Sequence, residues 1–356
     1  MIRHRIGLAG GCKTALVCCA VLLHGALVSA PAAAQEELNY TISVASSRSV
    51  ILVCEPLVLD VAVRNDGGSR VEFPEMLEGV TFPLSFEVIG RDGEMWLYGP
   101  LRQLEREEGP KVLLAPGEVY RYRKNLLYGV WRSPPGAKEA KRTAYAFPKP
   151  GDYDIRVAFR VVHQRQERRF ESPRFKVTVV EPTGREREAL ELFRGTKQAE
   201  FIEDLTKRIP PPELRRLATE YPETVYGRYA RFYLARTVLE HRFDWEEARR
   251  ARASELAGLN PTTANRRLRE EVYRKTAAEF ADLARSEPAF PLADQCLLYQ
   301  ADCYLNSPAD RRAEAVKVLK DLVAKYPESP VAVEARKRLE KLVKKAPAPT
   351  TQPSAP

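Results

Sequence analysis

Two periodicities divide the chain. Between about residues 38 and 181, apolar side chains come in short runs or strict alternation, as in Tyr40-Thr41-Ile42-Ser43-Val44, Leu57-Val58-Leu59-Asp60-Val61-Ala62-Val63 and Phe175-Lys176-Val177-Thr178-Val179. These runs are rich in β-branched residues, and a period of two predicts strands with one face buried. Turn chemistry separates them. Asn65-Asp66-Gly67-Gly68 closes one strand, and Arg91-Asp92-Gly93-Glu94 joins Phe86–Ile89 to Met95–Tyr98 as a tight hairpin. After Pro150-Gly151, the positions Tyr153, Ile155, Val157 and Phe159 make an apolar face, while Asp152, Asp154, Arg156 and Arg160 face water.

From about Arg185 to Lys345 the spacing becomes helical. Tyr221-Pro222-Glu223 returns as Tyr326-Pro327-Glu328, 105 residues on, close to three units of a ~34-residue helical-hairpin repeat. Pro288 marks a third seam between them. Five residues before the three prolines stand Leu217, Leu283 and Leu322; four after stand Tyr226, Leu292 and Val331; eight after stand Ala230, Cys296 and Ala335. Large and small apolar residues thus alternate at helical spacing on both sides of each proline, as in close-packed antiparallel helices. Proline suits the seam because it cannot continue the first helix and is tolerated in the first turn of the next. The Pro- and Ala-rich tail, 346–356, cannot bury apolar surface and is expected to be disordered.

The front of the chain points to export. Arg3, Arg5 and Lys13 lead into a mostly apolar run, Ala15–Ala30, and Ala32 and Ala34 suit a signal peptidase cutting before Gln35. Residues 1–34 therefore read as a signal peptide, and the protein as secreted or periplasmic. An uncut anchor, or lipid attachment at Cys18 or Cys19, are the alternatives. No later stretch is apolar enough to span a bilayer.

Loss of the signal leaves Cys54, Cys296 and Cys303, an odd and small number that argues against a disulfide framework. Cys296 stands in register with two alanines and reads as a small core residue. With no CxxC and no ligand cluster, no metal or cofactor is expected. Only His163 and His241 remain as histidines, and the chain has no GxSxG, HExxH or P-loop, so the protein reads as noncatalytic. Asp152 with Asp154, and Glu105, Glu107 and Glu108 in one loop, read as solvated carboxylates.

Charge excludes another class. The 57 basic and 48 acidic residues become 54 and 48 without the signal, and they mix along helix faces, as in Arg266-Arg267-Leu268-Arg269-Glu270-Glu271. Nucleic-acid binding wants a concentrated basic patch instead. Arg165, Arg168 and Arg169, beside His163, fit a charged hairpin edge that discourages strand pairing.

Glu55-Pro56-Leu57, Leu114-Ala115-Pro116-Gly117-Glu118, Pro150-Gly151-Asp152-Tyr153 and the final Phe175–Val179 strand occur in the order found in bacterial immunoglobulin-like β-sandwich domains, which residues 38–182 resemble. That resemblance implies an antiparallel sandwich with Tyr153 buried near a corner. Two inserts, Leu101–Lys111 and Trp131–Thr143, read as loops. Residues 185–345 resemble the tetratricopeptide-type helical repeats of exported proteins. The closest stretch runs from Ala313-Glu314-Ala315-Val316 through Tyr326-Pro327-Glu328-Ser329 to Leu339, read as helix A, turn and helix B.

By resemblance, such repeats hold a peptide or protein segment, which here implies a noncatalytic scaffold of the bacterial cell envelope with a protein partner. Tyr226, Arg228, Tyr229, Arg231 and Tyr233 share one helix and are the candidate binding residues, since aromatic and Arg side chains are enriched in binding hot spots. Of these, Arg228 and Arg231 are expected to be the more exposed, while Tyr226 and Tyr233 also sit at core spacing. The alternative reading makes the sandwich the active part, as a protease-inhibitor-like or polysaccharide-binding domain or a carboxylate-dependent hydrolase. Neither partner identity nor oligomeric state is legible.

Overall fold

The protein is described by a computed structural model covering residues 38–74, 84–99, 111–134, 138, 141–163, 166–204, 209–240, 243–286 and 289–344. The signal segment, the loop carboxylates Glu105, Glu107 and Glu108, together with Arg165, His241, Pro288 and the tail, lie outside the described residues.

The strands are β1 (Tyr40–Ser46), β2 (Val50–Leu52), β3 (Leu57–Asn65), β4 (Val71–Pro74), β5 (Leu84–Ile89), β6 (Met95–Gly99), β7 (Lys111–Leu114), β8 (Val119–Leu126), β9 (Tyr128–Arg132), β10 (Lys141–Tyr145), β11 (Gly151–His163), β12 (Gln166–Glu171) and β13 (Phe175–Val180). They form a small sheet in the order β1-β3-β8 and a large one in the order β10-β9-β6-β5-β11-β13-β2, with β12 beside β11 and a separate β4-β7 pair. The chain changes sheet between β1 and β2, and β2 closes the large sheet by pairing parallel to β13.

Alternation places the core. On β11, Ile155, Val157 and Phe159 are buried, and the register pairs Ile155 with Val88 and Val157 with Phe86. Tyr40, Phe73, Phe159 and Phe170 meet edge-on or tilted between the sheets, the geometry ring quadrupoles favour. The Arg91–Glu94 turn forms as expected, with Gly93 at φ 78°. Asn65, buried, donates from Nδ2 to the carbonyls of Ser69 and Leu114 and accepts from Gly67 N, so the turn after β3 is fully satisfied. Tyr153 stands at the corner, its hydroxyl donating to the Lys149 carbonyl at 2.9 Å, but it is only half-buried where the resemblance implied burial.

One expected loop is corrected. The two ends of Trp131–Thr143 belong to a hairpin in which β9 and β10 pair, Trp131 opposite Arg142. The charged, solvent-facing residues of β10 hid its period.

The helices are α1 (Gly184–Phe193), α2 (Thr196–Glu203), α3 (Pro212–Glu220), α4 (Val225–Leu239), α5 (Trp245–Ala251), α6 (Ala253–Leu256), α7 (Pro261–Arg285), α8 (Ala293–Asn306), α9 (Arg312–Lys325) and α10 (Pro330–Lys344). Consecutive helices pack as pairs, α3 with α4, α7 with α8, and α9 with α10, the first and last joined through the Tyr-Pro-Glu turns. The aligned positions Leu217, Leu283 and Leu322 are fully buried, as are Ala230, Cys296 and Ala335. At the first seam Thr224 caps α4 by accepting from Gly227 N at 3.0 Å. Gly227 is required there, because a Cβ would come within 1.8 Å of the Tyr221 carbonyl oxygen.

The sandwich shares one continuous core with the helices as far as α8, and α9 and α10 pack on α8 in a second cluster. The turn Val53-Cys54-Glu55-Pro56 sits where they meet. Cys54 adopts φ 60°, and its N–H donates to the Phe147 carbonyl, while Val53 N–H donates to Val180 O. The turn's outward carbonyls take two hydroxyls from α4, Tyr226 onto Val53 O and Tyr229 onto Pro56 O. Tyr145 of β10 reciprocates, donating to Phe193 O at the end of α1. Further along, Arg123 of β8 bridges Asp60 of β3 and Asp294 of α8, and Arg121 meets Glu328 of the second Tyr-Pro-Glu turn.

Removing one of these hydroxyls leaves a buried carbonyl without its donor. Tyr226→Phe and Tyr229→Phe are each expected to lower stability by about 1–2 kcal/mol. Urea unfolding followed at once by near- and far-ultraviolet circular dichroism checks this, with strand and helix signals lost in a single transition.

Candidate functional site

The helix expected to bind a partner is instead the seam with the sandwich. Tyr226 and Tyr229 are fully buried, with their hydroxyls spent on the turn, and Tyr233 is buried against Phe232. Arg228, expected to be exposed, is only 7% exposed. Arg231 is held between Glu279 and Asp282 of α7, so its guanidinium ties two helices together. The spacing that places aromatics on one helix face also suits a core, and the sandwich covers that face. Nothing in a single sequence shows that cover.

Around the turn lies a buried ionic cluster. Glu55 is 1% exposed; one carboxylate oxygen accepts from Leu52 N at 2.8 Å and the other from Arg48 at 3.1 Å. Arg48 also donates to the Ala289 carbonyl of the helical half. Glu186 of α1 accepts from Val225 N at the start of α4, and Arg228 stands near both carboxylates. Desolvation dominates here. It pushes the Glu55 carboxyl up to about 7 against the pull of Leu52 N–H and Arg48, raises Glu186, and lowers Arg228.

The other singled-out groups are internally engaged. Asp152 accepts from Thr178, and Asp154 lies 3.9 Å from Arg174. Arg169 pairs with the buried Glu87 and with Glu171, and Arg168 donates to Leu38 O. Cys54, Cys296 and Cys303 are buried free thiols; burial pushes Cys54 up to about 12 and Cys296 well above its ordinary value. Buried, protonated thiols are poor nucleophiles and poor ligands. Among the described residues no three His, Cys, Asp or Glu side chains gather as a metal site, and no helix is long and apolar enough to cross a membrane.

What the helical half does leave open is a groove of about 1140 Å³ bounded by α3, α4 and α5. Leu234 of α4, Phe243 and Ala248 supply an apolar lining, and Ile209 at the rim is 84% exposed. Asp244 caps α5 by accepting from Glu247 N, and Arg215 of α3 spans to Glu247 at 3.3 Å, holding the two walls together. Leu234 was legible as a repeat position. The groove itself was not, because it forms where α5 departs from the hairpin pattern.

A tetratricopeptide repeat model matches residues 295–329, which run from α8 through α9 to the second Tyr-Pro-Glu turn. This frames the unit as α8 with α9, one helix ahead of the pair ending at Leu339. No curated protein matches the chain. Among solved structures, the CARDB domain of a Pyrococcus furiosus protein, in complex with di-metal ions, is 17% identical over 40% of this chain and 89% of its own, with a TM-score of 0.21. A β-glucosidase from Erythrobacter marinus is 17% identical over 40% of this chain and 16% of its own, TM-score 0.21. A β-D-glucoside glucohydrolase from Trichoderma reesei is 15% identical over 41% and 19%, TM-score 0.21. At such scores these likenesses bear on nothing further. The sheets and helices define a β-sandwich followed by packed helices, among which α8 and α9 match a tetratricopeptide repeat.

The buried cluster makes stability depend on pH with a fixed sign. Glu55 holds its proton more tightly folded than unfolded, so its contribution is present below its ordinary value of 4.5 and is lost as pH rises through about 7. Glu186, raised in the same direction, adds to the slope. Urea midpoints between pH 5 and 8, in steps, are expected to fall with pH in the wild type and to flatten in Glu55→Gln.

Proposed function

We propose that this protein is an exported, noncatalytic interaction module of the bacterial cell envelope that holds an apolar peptide segment of a protein partner. The α3–α4–α5 groove is the binding surface. One observation carries this reading: an open, apolar-lined groove lies among the helices of a chain whose α8–α9 stretch matches a tetratricopeptide repeat, while the tyrosine face of α4 is consumed by the seam. Leu234, Phe243 and the exposed Ile209 offer apolar contact, and the paired Arg215 and Glu247 add polar donors and acceptors without a net charge. Such lining favours an apolar side chain over an ionic ligand.

Export rests on the basic, apolar and Ala-x-Ala pattern of residues 3–34. Protein recovered from the producing cell's envelope fraction is expected to begin at Gln35, as read by intact mass; an unprocessed Met1 or a lipidated cysteine would instead support an anchor.

The groove is tested in the full chain. A photo-crosslinking amino acid at position 234 or 243 is expected to capture one discrete envelope protein through a mappable peptide, and Ile209→Asp is expected to weaken that capture at least about tenfold. Crosslinks confined to positions on the sandwich would overturn the reading.

A further inference from the structure

Trp96 pairs with Val88 across β6 and β5, and so points to the same side as the buried Val88 and Tyr98. It is on the core side of the sheet, packed against the edge of the core, and stays half-buried. There the sheet opens into a cleft of about 510 Å³.

Aromatic rings make its interior. Trp131, buried, lies beneath, with its Nε1 donating to Ala144 O at 3.1 Å, and Tyr145 adjoins it. Trp96 and Tyr153 stand half-exposed at the mouth. Both are fixed: the Arg142 guanidinium lies over the Trp96 ring at 4.3 Å, Trp96 Nε1 donates to Glu94 at 3.2 Å, and Tyr153 is held by Lys149 O and edge-on against Phe147. Rings held this way lose little entropy when a ligand stacks on them.

Around the mouth stand Arg91, Arg142 and Lys149, and Asp92, Glu94 and Asp152. Three cations against three anions give no net field to draw an ion. They do give acceptors and donors side by side. Asp92 spends one oxygen on Glu94 N and its carboxylate has further lone pairs to offer, whereas Asp152 points to the other face of β11 and is engaged there by Thr178 Oγ1. A hydroxyl is both donor and acceptor, so a polyhydroxylated ring satisfies such a rim, and its C–H face suits an indole or phenol ring. A proline-rich peptide would use the rings and leave the carboxylates unmatched.

We propose that this cleft binds an uncharged oligosaccharide, with Trp96 and Tyr153 as stacking faces and Asp92, Glu94 and Arg142 hydrogen-bonding its hydroxyls. The site is independent of the helical groove and stands or falls separately from it. In an exported protein, glycans are within reach.

Isothermal titration of the intact protein with soluble cello-, chito- and malto-oligosaccharides tests it. At least one series is expected to bind saturably, with affinity rising with chain length and a Kd of about a millimolar or tighter. Trp96→Ala is expected to weaken binding at least about tenfold, and Trp96→Phe to keep most of it, with unfolding midpoints of all three proteins compared to confirm folding. Three results would overturn the proposal: no series binding at about 10 mM, Trp96→Ala binding as well as the wild type, or Trp96-dependent binding only of a synthetic 346–356 peptide or of polygalacturonate fragments.

Discussion

A buried hydroxyl must find an acceptor, and two of them set the relation between the halves of this protein. Tyr226 and Tyr229 of α4 bring large rings into the core, and each hydroxyl would be costly to bury alone. The turn 53–56 supplies the two carbonyls. Because backbone carbonyls point in fixed directions, the pairing specifies an orientation as well as an energy. Cys54 at φ 60° shapes that turn, and Glu55 braces it from within through Leu52 N–H. The rest of the seam, from Tyr145 on Phe193 O to Arg123 on Asp294, follows the orientation so fixed.

Once α4 is committed in this way, binding surface is what remains elsewhere. The face of α4 that carries the tyrosines is sealed, while Leu234, a turn beyond Ala230, borders the groove. In the sandwich, Trp96 of the eight-stranded sheet is left half-covered.

Much of the fold was legible because it depends on local period. The leucines and small residues flanking the prolines are buried where their alignment placed them, and Gly93 does what its turn implies. The site was read less well. Tyr226, Arg228, Tyr229, Arg231 and Tyr233 have the composition of a recognition surface, yet their partners are the turn at residues 53–56 and helix α7, up to 173 positions away in sequence. Contacts at that separation leave no periodic trace. The same holds for β10, whose alternation is masked by Lys141 and Arg142, and for Trp96, whose neighbours Arg142 and Tyr153 come from other strands.

The continuous core has a mechanical consequence. The groove at Leu234 and the cleft at Trp96 stand on one packed body. A partner that occupied both would span the seam of strands and helices rather than a linker.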